Sequence, residues 1–173
     1  KAARPDIIFP VSRPGDSVLL VRELFKQRVE LMGIFGPDSP GWYEQEVIKD
    51  LGKLLHYVMV NLPWINPTSP IYNRANADYL KKHGRFLDTN SAYAYTGILV
   101  IADVLERAAS TKPDDIVAAL KKTNIADHPL VGGPIKFDAK GDNTGARTAL
   151  IQIQPDNDPL KKAKIVLPKS FAQ

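Results

Sequence analysis

No cysteine occurs in the 173 residues. A thiol nucleophile, thiolate metal sites and disulfide staples are therefore excluded. Export is not, because a chain this long can bury ~70% of its unfolded surface and needs no staple. Nowhere does the sequence reach the ~18 uninterrupted apolar residues of a membrane span. The longest candidate, Ala92 to Ala109, is broken by Thr96, Asp103, Glu106 and Arg107. An excess of one charge is lacking too: 23 Lys plus Arg against 19 Asp plus Glu leaves +4. The bases are scattered rather than gathered into a stripe, so no nucleic-acid partner is expected. The 3 histidines, His56, His83 and His128, stand far apart without metal-ligand spacing. No metal and no cofactor follow from them. There is no GxGxxG, P-loop or GxSxG pattern. Glu44 and Glu46 face different ways on a helix, and the Lys121–Lys122 and Lys161–Lys162 pairs read as solvated charge. Without a nucleophile–base pair, an α/β enzyme is the weakest of the possible classes. No signal peptide is visible, the first residue is Lys1 rather than Met, and a strand pattern begins within a few residues. The chain reads as a piece cut from something longer.

What is present is an ordinary globular composition, 44% apolar and 24% charged. Asp6 to Val11 is a short apolar run, read as a buried strand with Phe9 in the core. Ser12-Arg13-Pro14-Gly15 is turn chemistry, and Asp16 or Ser17 can cap a helix carrying Val18, Leu19, Val21, Leu24 and Phe25. Leu31 to Phe35 reads as a second strand, Trp42 to about Lys53 as a second helix, and Tyr57 to Val60 as a third strand. This β-α-β-α-β order predicts a parallel sheet covered by helices on both faces.

The texture changes at Leu62, where Pro63, Pro67 and Pro70 interrupt all periodicity, as a linker or domain crossing does. Three helix patterns follow without an intervening strand: Ile71 to His83, Asn90 to Ala109, and Lys112 to Lys122. The middle one is apolar on most of its circumference, which predicts burial against a sheet that this chain does not supply. The tail returns to β pattern at Pro134 to Asp138, Ala149 to Gln154 and Ala163 to Pro168.

Ligands of open parallel sheets sit outside the carboxyl ends of the strands. Three places qualify: Ser12 and Arg13 after the first strand, Asp38 and Ser39 after the second, and Trp64 after the third. Asp88-Thr89-Asn90-Ser91, at the start of the long helix, adds N–H groups that suit an anion or polar ligand. Asn90 and Ser91 also read as plain caps, Asp38 as a turn residue and Trp64 as a linker anchor.

Several segments taken in order resemble one family. Arg4-Pro5-Asp6-Ile7-Ile8-Phe9 is similar to its "PD" strand. Ala92-Tyr93-Ala94-Tyr95-Thr96 with Ala102-Asp103-Val104-Leu105-Glu106-Arg107-Ala108 is similar to its Tyr-containing helix. Lys112-Pro113-Asp114-Asp115-Ile116 with Ala118-Ala119-Leu120-Lys121 is similar to the helix after it. Gly133-Pro134-Ile135-Lys136-Phe137-Asp138 with Lys140-Gly141-Asp142 is similar to a late signature, and Gln152 with Val166-Leu167-Pro168 fits the closing strands. On these residues the chain resembles the C-terminal half of a type I periplasmic solute-binding protein of the branched-chain amino-acid (Leu/Ile/Val) group. The resemblance implies a two-lobed clamshell lacking its N-terminal half. Residues 1–62 would belong to the second lobe, 63–130 to a hinge crossing and first-lobe helices, and 131–173 to a return crossing and the closing strands. It implies a non-enzymatic protein, periplasmic or membrane-anchored in a Gram-positive host, that captures a small amino acid or organic carboxylate in the cleft for an ABC permease. A sensor or receptor domain with the same clamshell is the alternative. The ligand residues would be Ser12, Arg13, Asp38, Asn90, Ser91 and Trp64. Arg13 departs from the family pattern: it suits a carboxylate through bidentate bonds and turns the expectation from a plain aliphatic amino acid toward an acid. The exposed long helix would be covered by the N-terminal half or by self-association.

Overall fold

The computed structural model describes residues 4–156 and 163–172. Lys1 and the Lys161–Lys162 pair lie outside these residues. The chain divides into two units, Lys1–Leu62 with Ala149–Gln173, and Pro63–Thr148. The outward crossing falls at the start of the proline-rich segment. The return falls at 148/149 rather than near residue 131, because the chain after residue 130 is bonded into the second unit. The Val131 N–H donates to the Trp64 carbonyl at 2.8 Å, Ile125 and Ile135 exchange bonds of 3.2 and 2.9 Å, and the Gly133 N–H donates to the Gly145 carbonyl at 2.9 Å.

In the first unit, β1 (Ile7–Ile8), α1 (Pro14–Lys26), β2 (Gly33–Pro37), α2 (Gln45–Leu51) and β3 (Met59–Leu62) alternate as the apolar runs predict. β4 (Ala149–Ile153) and β5 (Ala163–Leu167) complete one sheet in the order β1-β2-β3-β4-β5. β1, β2 and β3 pair in parallel, whereas β4 and β5 each pair antiparallel to the strand before them. The sheet is thus mixed, mostly parallel and flanked by helices. Its register aligns Val60 with Ile151 and Ile151 with Ile165, all three at 0% exposure. Full burial of each such side chain contributes ~1.5–3 kcal/mol. Alternate positions, among them Phe35, Met59, Asn61, Leu150 and Gln152, are half-buried.

Three local expectations change. β1 is only two residues long, because Pro10 offers no N–H to a ladder. Phe9 is not core: it is 64% exposed and leans on the Phe35 ring at 5.4 Å. The second helix is not continuous from Trp42. A 3-10 turn at Pro40–Trp42 precedes α2, and Gly52 (φ 51°) ends it by taking a backbone angle that favours glycine.

In the second unit, Ser69 caps α3 (Pro70–His83) by accepting from the Tyr72 N–H at 3.1 Å. Asp88 caps α4 (Thr89–Ala108) by accepting from the Ser91 N–H at 2.8 Å. Tyr72, Leu87 and Ala92 form a buried cluster joined by Ile65, Ala75, Tyr79 and Leu130. The Tyr72 hydroxyl donates to the Leu87 carbonyl at 3.1 Å. Burial, aided by the Asp88 charge, pushes this phenol well above its ordinary value. α5 (Pro113–Leu120) is stapled to α4 by Arg107, which donates to Asp103 on its own helix, to the Ala119 carbonyl and to Thr123 Oγ1. The hydrogen bond from Arg107 holds the Asp103 carboxyl below its ordinary value. The strand expected at Pro134 to Asp138 is absent. Isolated bridges, Ile125 to Ile135 and Phe137 to Asn143, stand there instead, since Gly132, Gly133, Pro134 and Gly141 interrupt any longer ladder. Among the described residues, no helix is long and apolar enough to cross a membrane.

Candidate functional site

The carboxyl ends of β1 and β2 carry Ser12 with Arg13 and Asp38 respectively, and the structure ties their loops together. The Ser39 hydroxyl accepts from the Ser12 N–H at 2.8 Å and donates to the Ser12 carbonyl at 2.6 Å. One side chain thus satisfies both backbone groups of a residue 27 positions away. The Ser12 and Ser17 hydroxyls meet at 2.6 Å, and the Ser17 hydroxyl donates to the Arg13 carbonyl at 3.2 Å. The Trp42 indole donates to the Pro10 carbonyl at 3.2 Å, a second tie between the same two loops. Asp38 is fastened to the third strand, its N–H donating to the Asn61 carbonyl at 2.8 Å.

The local sequence explains this arrangement. Pro14 is acceptable at the first helical position, so α1 starts there and Arg13 becomes its N-cap. Asp16 and Ser17 therefore lie inside the first turn rather than at the cap, and Asp16 accepts from the Arg13 N–H at 3.4 Å. Ser17 and Ser39 are fully buried, whereas Arg13 and Asp38 are exposed. Asp38 adopts a left-handed backbone (φ 41°), which aspartate tolerates better than most residues. Neither Arg13 nor Asp38 forms an ion pair among the described residues. The result is one free guanidinium and one free carboxylate on loops joined by buried hydroxyls.

The other three sequence-predicted residues belong to the second unit. Asn90 is exposed and Ser91 half-buried in the first turn of α4, beside the Asp88 cap. Thr89, between them and the cap, is 1% exposed, and its hydroxyl has no hydrogen-bond partner. Trp64 is 3% exposed, and its carbonyl accepts from Val131. A cavity of about 260 Å³ in this unit is lined by Tyr93, Thr96, Val100 and Leu130 among others, but not by Trp64, Asn90 or Ser91. His128 is buried and bonded on both ring nitrogens, to the Gly133 carbonyl and the Leu130 N–H, so it has a structural role. Among the described residues, no group of three or more His, Asp or Glu side chains could hold a metal ion.

Sequence reasoning placed Ser39 in the right loop but did not see its bonds to Ser12. It offers Asp16 or Ser17 as a cap and Trp42 as the start of a helix, and it names Thr89 only as part of the segment that opens the long helix. Only an Xaa-Ser pair in each of two successive strand-end loops hinted at the tie, and such pairs are common in turns.

A family model described as "Periplasmic binding protein" matches residues 1–158. No curated protein matches the sequence. Among solved structures, a leucine binding protein from Thermotoga maritima is similar at 20% identity and a TM-score of 0.70, over 86% of this chain and 41% of its own. An ABC-transporter solute binding protein from R. palustris in complex with benzoate is similar at 13% identity and a TM-score of 0.72, over 95% and 43%. A periplasmic binding protein from Burkholderia mallei is similar at 15% identity and a TM-score of 0.73, over 99% and 47%. At these identities the likeness establishes the fold, and the chain spans less than half the length of each of these structures.

Proposed function

This chain belongs to the periplasmic binding protein family, and from that premise we propose that it captures a small amino acid or organic carboxylate for an ABC importer. The family consists of binding proteins rather than enzymes, and it implies an extracytoplasmic location. The observation that carries the reading is the free Arg13 guanidinium and free Asp38 carboxylate on joined loops at the ends of two parallel strands. A guanidinium recognises a carboxylate through two parallel hydrogen bonds. Of two similar structures, one is a leucine binding protein and the other is in complex with benzoate; leucine and benzoate share a carboxylate and differ in the ammonium. Asp38 is the group that would tell them apart. Asn90 and Ser91 offer polar groups in the first turn of α4, within the second unit, and Trp64 is buried in that unit.

The test is a thermal-shift panel on the full-length protein with leucine, benzoate and an aliphatic acid. A ligand at ~100 times its dissociation constant adds ~2.7 kcal/mol, which moves the midpoint by degrees. A shift with leucine alone supports the pairing of ammonium with Asp38. A shift with benzoate or the aliphatic acid assigns recognition to Arg13. Arg13→Ala and Asp38→Ala variants that both keep full affinity for a ligand found this way would dismiss the site.

A further inference from the structure

The buried serines beneath Arg13 and Asp38 do more than fill space. The Ser17 hydroxyl lies 3.2 Å from the Arg13 carbonyl, to which it can donate. It also meets the Ser12 hydroxyl at 2.6 Å, and either of the two can supply the proton of that bond. Ser39 spends its proton on the Ser12 carbonyl and uses a lone pair on the Ser12 N–H. Ser39 thus carries bonds from the second loop to the first, and Ser17 braces the first loop from the start of α1.

We propose that Ser39 and Ser17 are positioning residues of the ligand site. Ser39 latches the loop that carries Arg13 to the loop that carries Asp38, and Ser17 holds Ser12 and the Arg13 carbonyl in place at the start of α1. The inference rests on the ligand reading above and sharpens it. Arg13 is a donor and Asp38 an acceptor, a division that fits a ligand with a carboxylate at one end and N–H groups at the other. Crowding makes the latch rigid. A Cβ on Gly41 would overlap Ser17 Oγ and lie 2.8 Å from the Arg13 carbonyl oxygen, and a Cβ on Gly36 would strike the Trp42 ring. The backbone of the second loop is pressed against the first with no room for another atom. Asp38 is separately bonded to Asn61, so the latch sets where Arg13 stands relative to a carboxylate already fixed to β3.

The test compares the full-length wild type with Ser39→Ala by two measurements. The first is amide hydrogen exchange without ligand. Loss of its Ser39 acceptor should speed exchange of the Ser12 amide by about tenfold, while the Asp38 amide, bonded to Asn61, keeps its rate. The second is calorimetric titration with L-leucine and with benzoate. The probe that binds wild type should bind Ser39→Ala about tenfold more weakly, and Ser17→Ala should follow it. Unchanged exchange at Ser12 overturns the latch. Faster exchange at Ser12 with unchanged affinity overturns its positioning role. If exchange rises equally at Ser12, Asp38 and Val60, the substitution has loosened the whole sheet, and the local latch is rejected as well. Wild type that binds neither probe defeats the ligand reading itself, and the positioning role with it, whatever the exchange shows.

Discussion

Individual residues at the strand ends divide into those that are free and those that are committed. Arg13 and Asp38 are exposed and form no ion pair among the described residues, while the hydroxyls of Ser12, Ser17 and Ser39 are all engaged in hydrogen bonds within the protein. Glycine separates the same two cases in the backbone. Gly41 lies under Ser17 and the Arg13 carbonyl, so Gly41→Ala must push one loop off the other. Overpacking of this kind costs ~1–3 kcal/mol, and the thermal midpoint should fall accordingly. Gly15, in the first turn of α1, has nothing within 4 Å of its Cβ position. Gly15→Ala should leave the midpoint unchanged or raise it by the ~0.4–1 kcal/mol gained when the unfolded chain loses freedom. Equal midpoints for the two variants would show that the contact between loops is looser than the structure makes it.

Among the elements, α4 shows most clearly what sequence can and cannot tell. Its start was legible only to within a turn: Asn90 and Ser91 read as caps, whereas Asp88 is the cap and both lie in the first turn. Its partial exposure follows from the sheet that the chain does not supply, but periodicity does not tell which of its apolar residues find partners. Ala92, Thr96 and Val104 are buried, whereas Ile98, Ile101 and Leu105 are 64%, 53% and 43% exposed. The same limit explains Phe9, which is apolar within a strand pattern yet lies beyond the end of a β1 cut short by Pro10. At the candidate site, the loops could be found from strand ends alone, which brought out Arg13, Asp38 and Ser39. The bonds among them span 27 residues of sequence, and no local pattern records such a pairing. The exposed stripe on α4 predicts that the 173-residue chain associates with a second copy of itself through this helix. Sedimentation velocity should show dimers or larger species at high concentration, and the double variant Ile98→Lys, Ile101→Lys should restore the monomer with its helical content intact. A wild type that stays monomeric at high concentration would sink the idea.

For the molecule as a whole, the two crossings make the units unequal. The second is one continuous stretch, Pro63–Thr148, whereas the first is assembled from two stretches separated by it. The sheet of the first unit therefore depends on the end of the chain. β4 lies beside β3, with Ile151 aligned to Val60, and Ile151, Ile153 and Ile165 are wholly buried. A chain ending at Thr148 would leave β3 an unpaired edge and expose Val60 and Leu62, removing three buried isoleucines at ~1.5–3 kcal/mol each. That is comparable with the ~5–15 kcal/mol by which a whole domain is stable. In the second unit the Ser69 and Asp88 caps and the Tyr72 cluster are made within its own stretch. Hydrogen exchange on the truncated chain should therefore show the amides of β2 and β3 unprotected while those of α3 and the first turns of α4 remain slow. Protection retained in β3 would mean that the parallel half of the sheet stands alone. The Arg13–Asp38 loops would then be carried by β1, β2 and β3 without help from the closing strands.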